Sequence, residues 1–354
     1  MSGSAHNKAK QQVSNWLLLG VAMIMIQIVL GGITRLTESG LSITEWNPVT
    51  GALPPLNDAA WQVEFDKYKG TDQFRYVHSD FSIDDFKFIF FWEWFHRLWA
   101  RLMGMVFLVG FVYFLVAKKL SREMVMPMVV LFILGGLQGI VGWLMVKSGL
   151  VPERYYVGHV ELTTHLIMAL LLLAYTLWFA LKLKVSNTQL MVDLSMRRLT
   201  VLIAGILSIQ LIYGGLMAGL KAAVMAPTWP DINGSMIPSG LLSMKPLISN
   251  FFNNPIAIHF IHRGLAYLLV LLLIAGWFKS RKINGSDFFR CSWSVALALV
   301  ILQALLGILT VLNAWHSDRL VWLGISHQFI GISLMISVVC LLYLTKGKLS
   351  QLRP

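Results

Sequence analysis

The sequence predicts an all-α integral membrane protein, with eight transmembrane helices arranged as two pseudo-symmetric four-helix bundles. Three observations predict it. Hydrophobic residues make up 56% of the 354-residue chain and charged residues only 13%, with a mean hydropathy of +0.68, whereas a soluble domain carries about a quarter of its residues as charges. The charges also lie between apolar runs, each long enough to cross about 30 Å of hydrocarbon. Finally, residues on the second, third and fourth runs recur in order on the sixth, seventh and eighth. The first two observations exclude a soluble globular protein.

The first span is read from Asn15 to Ile33. A segment rich in glycine and threonine follows it, not a small-residue cleavage site, so it reads as a membrane span and not a signal peptide. A long segment rich in Gly, Pro and Trp then runs from Arg35 to Asp85, with few uninterrupted periodic stretches. Three spans follow, Phe86 to Val116, Met124 to Val146 and Gly158 to Leu181, with short basic connections on one side. The second set runs from Leu199 to Leu220, Pro255 to Phe278, Cys291 to Asn313 and Val321 to Leu344. Between the fifth and sixth spans lies a second long loop, Lys221 to Asn254. Long ordered loops are often lids or site walls, and these two are expected to pack over the mouth of the bundles. The domain division is 1–185 and 186–354.

Charge placement sets the expected orientation. The net charge is +12, but the cations cluster at alternate ends of the spans: Lys8 and Lys10, Lys118 to Arg122, Lys182 to Arg198, Lys279 to Arg290, and Lys346 to Arg353. These segments, with the adjoining Glu123, hold 16 of the 29 Lys and Arg against three acids, Glu123, Asp193 and Asp287. By the positive-inside rule both termini face the cytoplasm and both long loops lie outside. The basic balance therefore belongs to membrane topology and does not indicate a nucleic-acid partner. Cys291 and Cys340 sit within spans, and the outer loops hold no cysteine, so no disulfide framework is expected.

The repeat is specific. Phe95-His96-Arg97 with Ala100 recurs as Ile261-His262-Arg263 with Ala266. Gln138 recurs as Gln303, and Thr164-His165-Leu166 as Ser326-His327-Gln328. Gln27 stands ahead of Gly31-Gly32, and Gln210 ahead of Gly214-Gly215. The offsets are 166, 165, 162 and 183 residues, the last being larger because the first outer loop is longer. With four spans per half, both halves enter the membrane in the same direction, a parallel repeat.

Four of the nine histidines dominate: His96, His165, His262 and His327. Each lies some six to ten residues inside the outer end of an even-numbered span, roughly 9–15 Å at the helical rise. Ionisable residues at that depth are costly and face the bundle interior with a partner. Zinc or a di-iron centre would want thiolates or several carboxylates at the same level, and only Glu93 is near. Paired imidazoles in a wall of Phe, Leu and Trp instead fit bis-histidine heme ligation, one porphyrin between the second and fourth spans and one between the sixth and eighth. Arg35, Arg97, Arg101, Lys147 and Arg263 are candidate propionate partners. Gly104, Gly264 and Gly331 are candidates for admitting a flat macrocycle. His159 and His259 read as supporting or interfacial residues, and His6, His78 and His316 carry no readable signal.

These residues resemble a known family. The run Gly31 to Ser42, with Trp46, Pro48, Gly51 and Pro54-Pro55, resembles the first-loop signature of heme A synthases. Glu93-x-x-His96-Arg97 resembles their second-helix motif, and Gly135 to Leu150 the segment before their second histidine. The resemblance spans about Gln27 to His327. It implies an oxidoreductase of the bacterial inner membrane, with its heme sites toward the outer side. The reaction implied is oxidation of the C8 methyl of heme o to the formyl of heme a, for cytochrome oxidase assembly. It also implies substrate heme at His96 and His165, a resident heme b at His262 and His327, and Glu93 as the carboxylate beside the reacting methyl. Implied partners are lipid, a heme o synthase and an electron acceptor that the sequence does not identify. A homo-oligomer is compatible with it. Some relatives carry a cysteine pair in an outer loop; this chain does not. A quinol-linked di-heme cytochrome b-type carrier and a non-catalytic heme transporter or chaperone use the same four histidines, but neither needs the first-loop signature or Glu93.

Overall fold

The computed structural model describes residues 3–47 and 50–347. Pro48 of the first-loop signature, and Lys348 and Arg353 of the basic tail, lie outside the described residues, as does the side chain of His6. Among the described residues, eight helices are long and apolar enough to cross a membrane. They are α1 (Gly3–Leu36), α2 (Ile83–Val116), α3 (Arg122–Gly149), α4 (His159–Lys184), α5 (Leu194–Gly219), α6 (Pro255–Arg281), α7 (Asp287–Leu312) and α8 (Ser317–Leu344).

Each span read from the sequence lies within one of these helices, to one residue. The helices run past the apolar stretches because backbone hydrogen bonding does not stop at the first polar residue; it stops at a cap. Ser82 and Asp85 form a capping box at the start of α2. The side chains of Asp193 and Ser286 accept from the amides of Met196 and Phe289 to start α5 and α7. Asn254 accepts from Ile256 and Ala257 beside Pro255 at the first turn of α6.

Packing places α1, α4 and α8 at the centre. In each, 44% of the most apolar window is buried, against 6% in α2 and α3. Helix α1 packs on α2, α4 and α8, while α5 packs on α4, α6 and α8. Helices α5 to α8 close into a ring, since α6 also packs on α7 and α7 on α8. Helices α1 to α4 do not close. Helix α3 packs on α4, but α2 and α3 scarcely touch. The main core, around Ile24, Leu173, Met196, Leu273, Phe289 and Trp293, joins α1 to α4, α5, α6, α7 and α8. A second core around Leu17, Phe114, Met128 and Ala180 joins the ends of α1 to α4 that carry the basic connections.

The first long loop corrects the expectation of an irregular segment, because it contains helices at Asp58–Lys69 and Asp72–Val77. Asn57 and Thr71 cap them through the amides of Ala60 and Phe74. Trp61, Phe65 and Tyr68 fall at i, i+4 and i+7 and so share one helical face. That face packs on Phe86 and Phe90 at the start of α2.

Candidate active site

The four intramembrane histidines share one local construction. Each lies on an even-numbered helix and meets a Gln-x-x-x-Gly pair on the odd-numbered helix before it. A spacing of four puts the glutamine and the glycine on one helical face. The Gln27 amide nitrogen lies 3.1 Å from Nε2 and 3.2 Å from Nδ1 of His96. Gln138 approaches Nδ1 of His165 at 3.2 Å. Gln210 reaches Nε2 of His262 at 3.3 Å and Gln303 reaches Nε2 of His327 at 3.2 Å. Gln27 and Gln138 also donate to the backbone carbonyls of His96 and His165, each at 3.1 Å.

The glycines make room for the rings. A methyl group at Gly31 would lie 3.1 Å from Cε1 of His96, at Gly142 2.7 Å from His165, at Gly214 3.4 Å from His262 and at Gly307 3.0 Å from His327. The second glycine of each doublet does different work. Gly32 faces Gln328 on α8 and Gly215 faces Thr163 on α4, so the doublets also let the halves approach. Gln328 completes that seam by donating to the Ile28 carbonyl at 2.8 Å.

All four imidazoles line a single cavity of about 1870 Å³. Small-molecule sites are commonly about 300–1,000 Å³, so this space exceeds one such ligand. His96 and His165 lie within Coulombic range of each other, as do His262 and His327. Among the described residues no group of three or more His, Cys, Asp or Glu side chains is placed to hold a metal ion. The donor set is therefore imidazole pairs.

Glu93 also lines the cavity and is 3% exposed. Its carboxylate accepts from Ser42 Oγ at 2.7 Å, from the Ile43 amide at 2.8 Å and from Arg97 at 2.6 Å. Arg97 also donates to the carbonyls of Ile43 and Glu45. The pair thus clamps the first loop onto α2. At the equivalent position three residues before His262 stands His259, fully buried, which accepts from Arg263 at 2.9 Å. Both halves hold an arginine there, but only the first holds a carboxylate.

The other candidate cations are placed differently. Arg35 donates to the Ala218 carbonyl and so bridges α1 to α5. Arg101 donates to the Asn47 carbonyl at 2.9 Å. Arg263 donates to the carbonyls of Thr228 and Asp231. Arg35, Arg97, Arg101 and Arg263 border the cavity; Lys147 is not among its lining residues and stands over the Trp143 ring. Gly104 and Gly264 have open space at the Cβ position, whereas a methyl group at Gly331 would lie 3.1 Å from the Gln303 amide. His159 is not among the lining residues; it begins α4, 2.9 Å from Asn253 Oδ1.

His78, unreadable in the sequence, is buried in the outer loop. Its Nδ1 lies 2.6 Å from the Tyr68 hydroxyl, its Nε2 3.6 Å from Glu38, and its ring stacks on Phe81. Glu38 also pairs with Lys221 of the second long loop. Burial by itself would raise the Glu38 pKa, but hydrogen bonds from His78 and Lys221 prevail and hold it at about 2. Burial pushes the Tyr68 hydroxyl above its ordinary range. Nothing in the spacing of Glu38, His78 and Lys221 announces this contact, because two loops far apart in sequence supply it.

The residues fit a heme. Metal-bound imidazoles usually pass their second ring N–H to a fixed acceptor. Here the side-chain oxygens of Gln27, Gln138, Gln210 and Gln303 are all buried without a partner, as are Nδ1 of His262 and of His327. Turning over the amides of Gln210 and Gln303 presents an acceptor to an imidazole N–H, whereas those of Gln27 and Gln138 are held as they stand by the carbonyls of His96 and His165. Four ring-facing glycines, and amide acceptors within reach of His262 and His327, suit ligated imidazoles.

Known proteins resemble this chain in sequence. The profile of the COX15-CtaA family, described as cytochrome oxidase assembly protein, matches residues 14–339. The heme A synthase of Parvibaculum lavamentivorans is 42% identical over 315 residues, 88% of each chain. That of Flavobacterium johnsoniae is 39% identical over 340 residues, 95% of this chain and 98% of its own. That of Paracoccus denitrificans is 37% identical over 344 residues, 96% of this chain and 89% of its own. On likeness of this extent, across both halves, the chain belongs to the COX15-CtaA cytochrome oxidase assembly family.

Proposed function

We propose that this chain is a heme A synthase, a membrane oxidoreductase that converts the C8 methyl of heme o to the formyl group of heme a. Its two halves are pseudo-symmetric four-helix units. His96 and His165 address the substrate heme, and His262 and His327 hold a resident heme b. The observation that carries the assignment is the exchange of Glu93 for His259 at matched positions. Oxidising a methyl group removes electrons and protons from carbon and adds oxygen, so the reacting carbon becomes electron-poor. A buried carboxylate, already oriented by three donors, favours that charge without reorganising. The second half lacks the carboxylate and keeps only the paired imidazoles.

His262 and His327 would hold the heme b, which would supply electron transfer. The chain's own residues do the positioning. Gln210 and Gln303 orient the imidazoles of the second half, and Gln27 and Gln138 those of the first. Arg35, Arg101 and Arg263 are the proposed propionate partners, while Arg97 serves mainly as the counter-ion of Glu93. Lys147 has no place in this arrangement. The supplier of heme o is a heme o synthase, and electrons leave to a membrane acceptor.

The test is chromatography of extracted pigment after co-expression with a source of heme o. Formylated, farnesylated heme should accompany the purified protein together with heme b. Heme b alone would instead indicate an electron carrier. The orientation follows from the charge asymmetry: both termini are cytoplasmic in the bacterial inner membrane, and the site lies toward the outer face. Reporter fusions after Lys119, Ser195 and Lys282 should read cytoplasmic, and those near Asp72 and Asn233 external. An external signal at Lys282 would overturn the orientation.

A further inference from the structure

The two halves differ in how deep their shared cavity runs and in whether it is sealed. From the level of the glutamines and histidines, its lining in the first half extends inward to Trp16 on α1, Phe107 on α2, Leu131 on α3 and Thr176 on α4. In the second half it stops at Leu207, Val270, Val300 and Leu334. Matched helix by helix, the first half reaches further on all four, by roughly 5–12 Å at the helical rise.

Side-chain size explains the difference. Gly104 lies eight residues after His96, and Val270 eight after His262. Gly135 lies three before Gln138, and Val300 three before Gln303; Gly139 and Ala304 each follow their glutamine. All three glycines line the cavity with nothing within 4 Å of the Cβ position. Val300, by contrast, is buried in the main core with Leu269, Leu273 and Ala296. The backbone follows suit. Helix α6 packs along α7, whereas α2 and α3 stand apart. They meet through Phe107 and Phe111 against Phe132, with ring centroids 4.6 and 5.5 Å apart.

The first half therefore has a glycine-lined apolar seam between α2 and α3, continuous with the His96–His165 site and closed at its inner end by aromatic rings. Two amide oxygens beside that site, on Gln27 and Gln138, are buried and unpartnered, which marks it as built for a ligand. Heme o differs from heme b by a long isoprenoid chain on the porphyrin edge. We propose that the α2–α3 seam receives this chain, so that the first half selects heme o, while Val270, Val300 and Ala304 exclude it from the second. The proposal rests on the heme A synthase reading. The chain is apolar in a medium that is already apolar, so the seam contributes fit and orientation, not a hydrophobic driving force.

The test transplants the side chains of the second half into the first, as the triple variant Gly104→Val, Gly135→Val, Gly139→Ala. The protein is purified from cells that make both hemes, and its pigments are extracted and counted per chain. Heme b should stay at the unaltered level, with its low-spin spectrum intact. Heme o and heme a together should fall about tenfold or more, the scale of overpacking a filled groove. Unchanged heme o and heme a would overturn the proposal and leave the seam to lipid acyl chains. Should the triple variant lose heme b as well, the single variants Gly104→Ala and Gly135→Ala decide. A fall in heme o without a fall in heme b upholds the seam, and a parallel fall in both overturns it. An unaltered protein that retains heme o but makes no heme a would refute the enzymatic reading alone.

Discussion

Glu93→Gln should lower the yield of heme a about a hundredfold, on the order of 3 kcal/mol, which is the usual cost of removing one preorganised electrostatic group. The glutamine keeps the shape of the side chain and can still accept from Ser42 Oγ or the Ile43 amide. It removes the negative charge and leaves Arg97 facing a neutral group at a site where the carboxylate is 2.6 Å away. Heme b should be retained, because His262 and His327 lie in the other half. Heme o, or its hydroxylated derivative, should accumulate in place of heme a. The measurement is chromatography of extracted hemes together with the reduced spectrum of the same sample. Because the pair also clamps the first loop, Ser42→Ala separates the two roles. It removes one of the loop's hydrogen bonds but keeps the charge, and should leave most of the heme a yield. Normal yield from Glu93→Gln would reduce Glu93 to the structural partner of Arg97.

His262→Ala and His327→Ala should each lower heme b content at least about tenfold. Loss of a supporting hydrogen bond to a metal-bound imidazole already costs about 10–100-fold in affinity, and loss of the imidazole itself should cost no less. Whatever heme remains should no longer be low-spin and six-coordinate, as read by absorption and electron paramagnetic resonance. His316→Ala is the control: His316 is exposed at the start of α8 and its side chain makes no capping bond. An unchanged low-spin spectrum and heme content in both ligand variants would remove these histidines from the second site.

The sequence by itself determined the membrane class, the eight spans, the recurrence of motifs and the four histidines at matched depth. These are readable because apolar length and helical period are local properties: a run of side chains reports its own hydrophobicity and its own faces. The spacing of four between Glu93 and Arg97 was legible in the same way, but that Arg97 meets Glu93 and not only a propionate came from the structure. The Gln-x-x-x-Gly spacing was legible too, although its meaning was not. The helical period says that Gln27 and Gly31 share a face; it does not say that this face meets His96, 69 residues away. The loop helix at Asp58–Lys69 is hard to read from sequence because its amphipathic face, Trp61, Phe65 and Tyr68, is short and lies among Gly- and Pro-rich segments.

Only the tertiary structure decided which surfaces meet. It tied Glu38 to His78 and Lys221, took Lys147 away from the cavity, and turned Gly32 and Gly215 toward the opposite half. It also left α2 and α3 apart while α6 and α7 closed. Whether two helices pack depends on the sum of side-chain volumes across both surfaces, and no single stretch of sequence contains both. Gly104 and Gly135 read alone are ordinary small residues. Brought to the wall of one cavity with open space at their Cβ positions, where the other half has Val270 and Val300, they make the difference between an open seam and a sealed core.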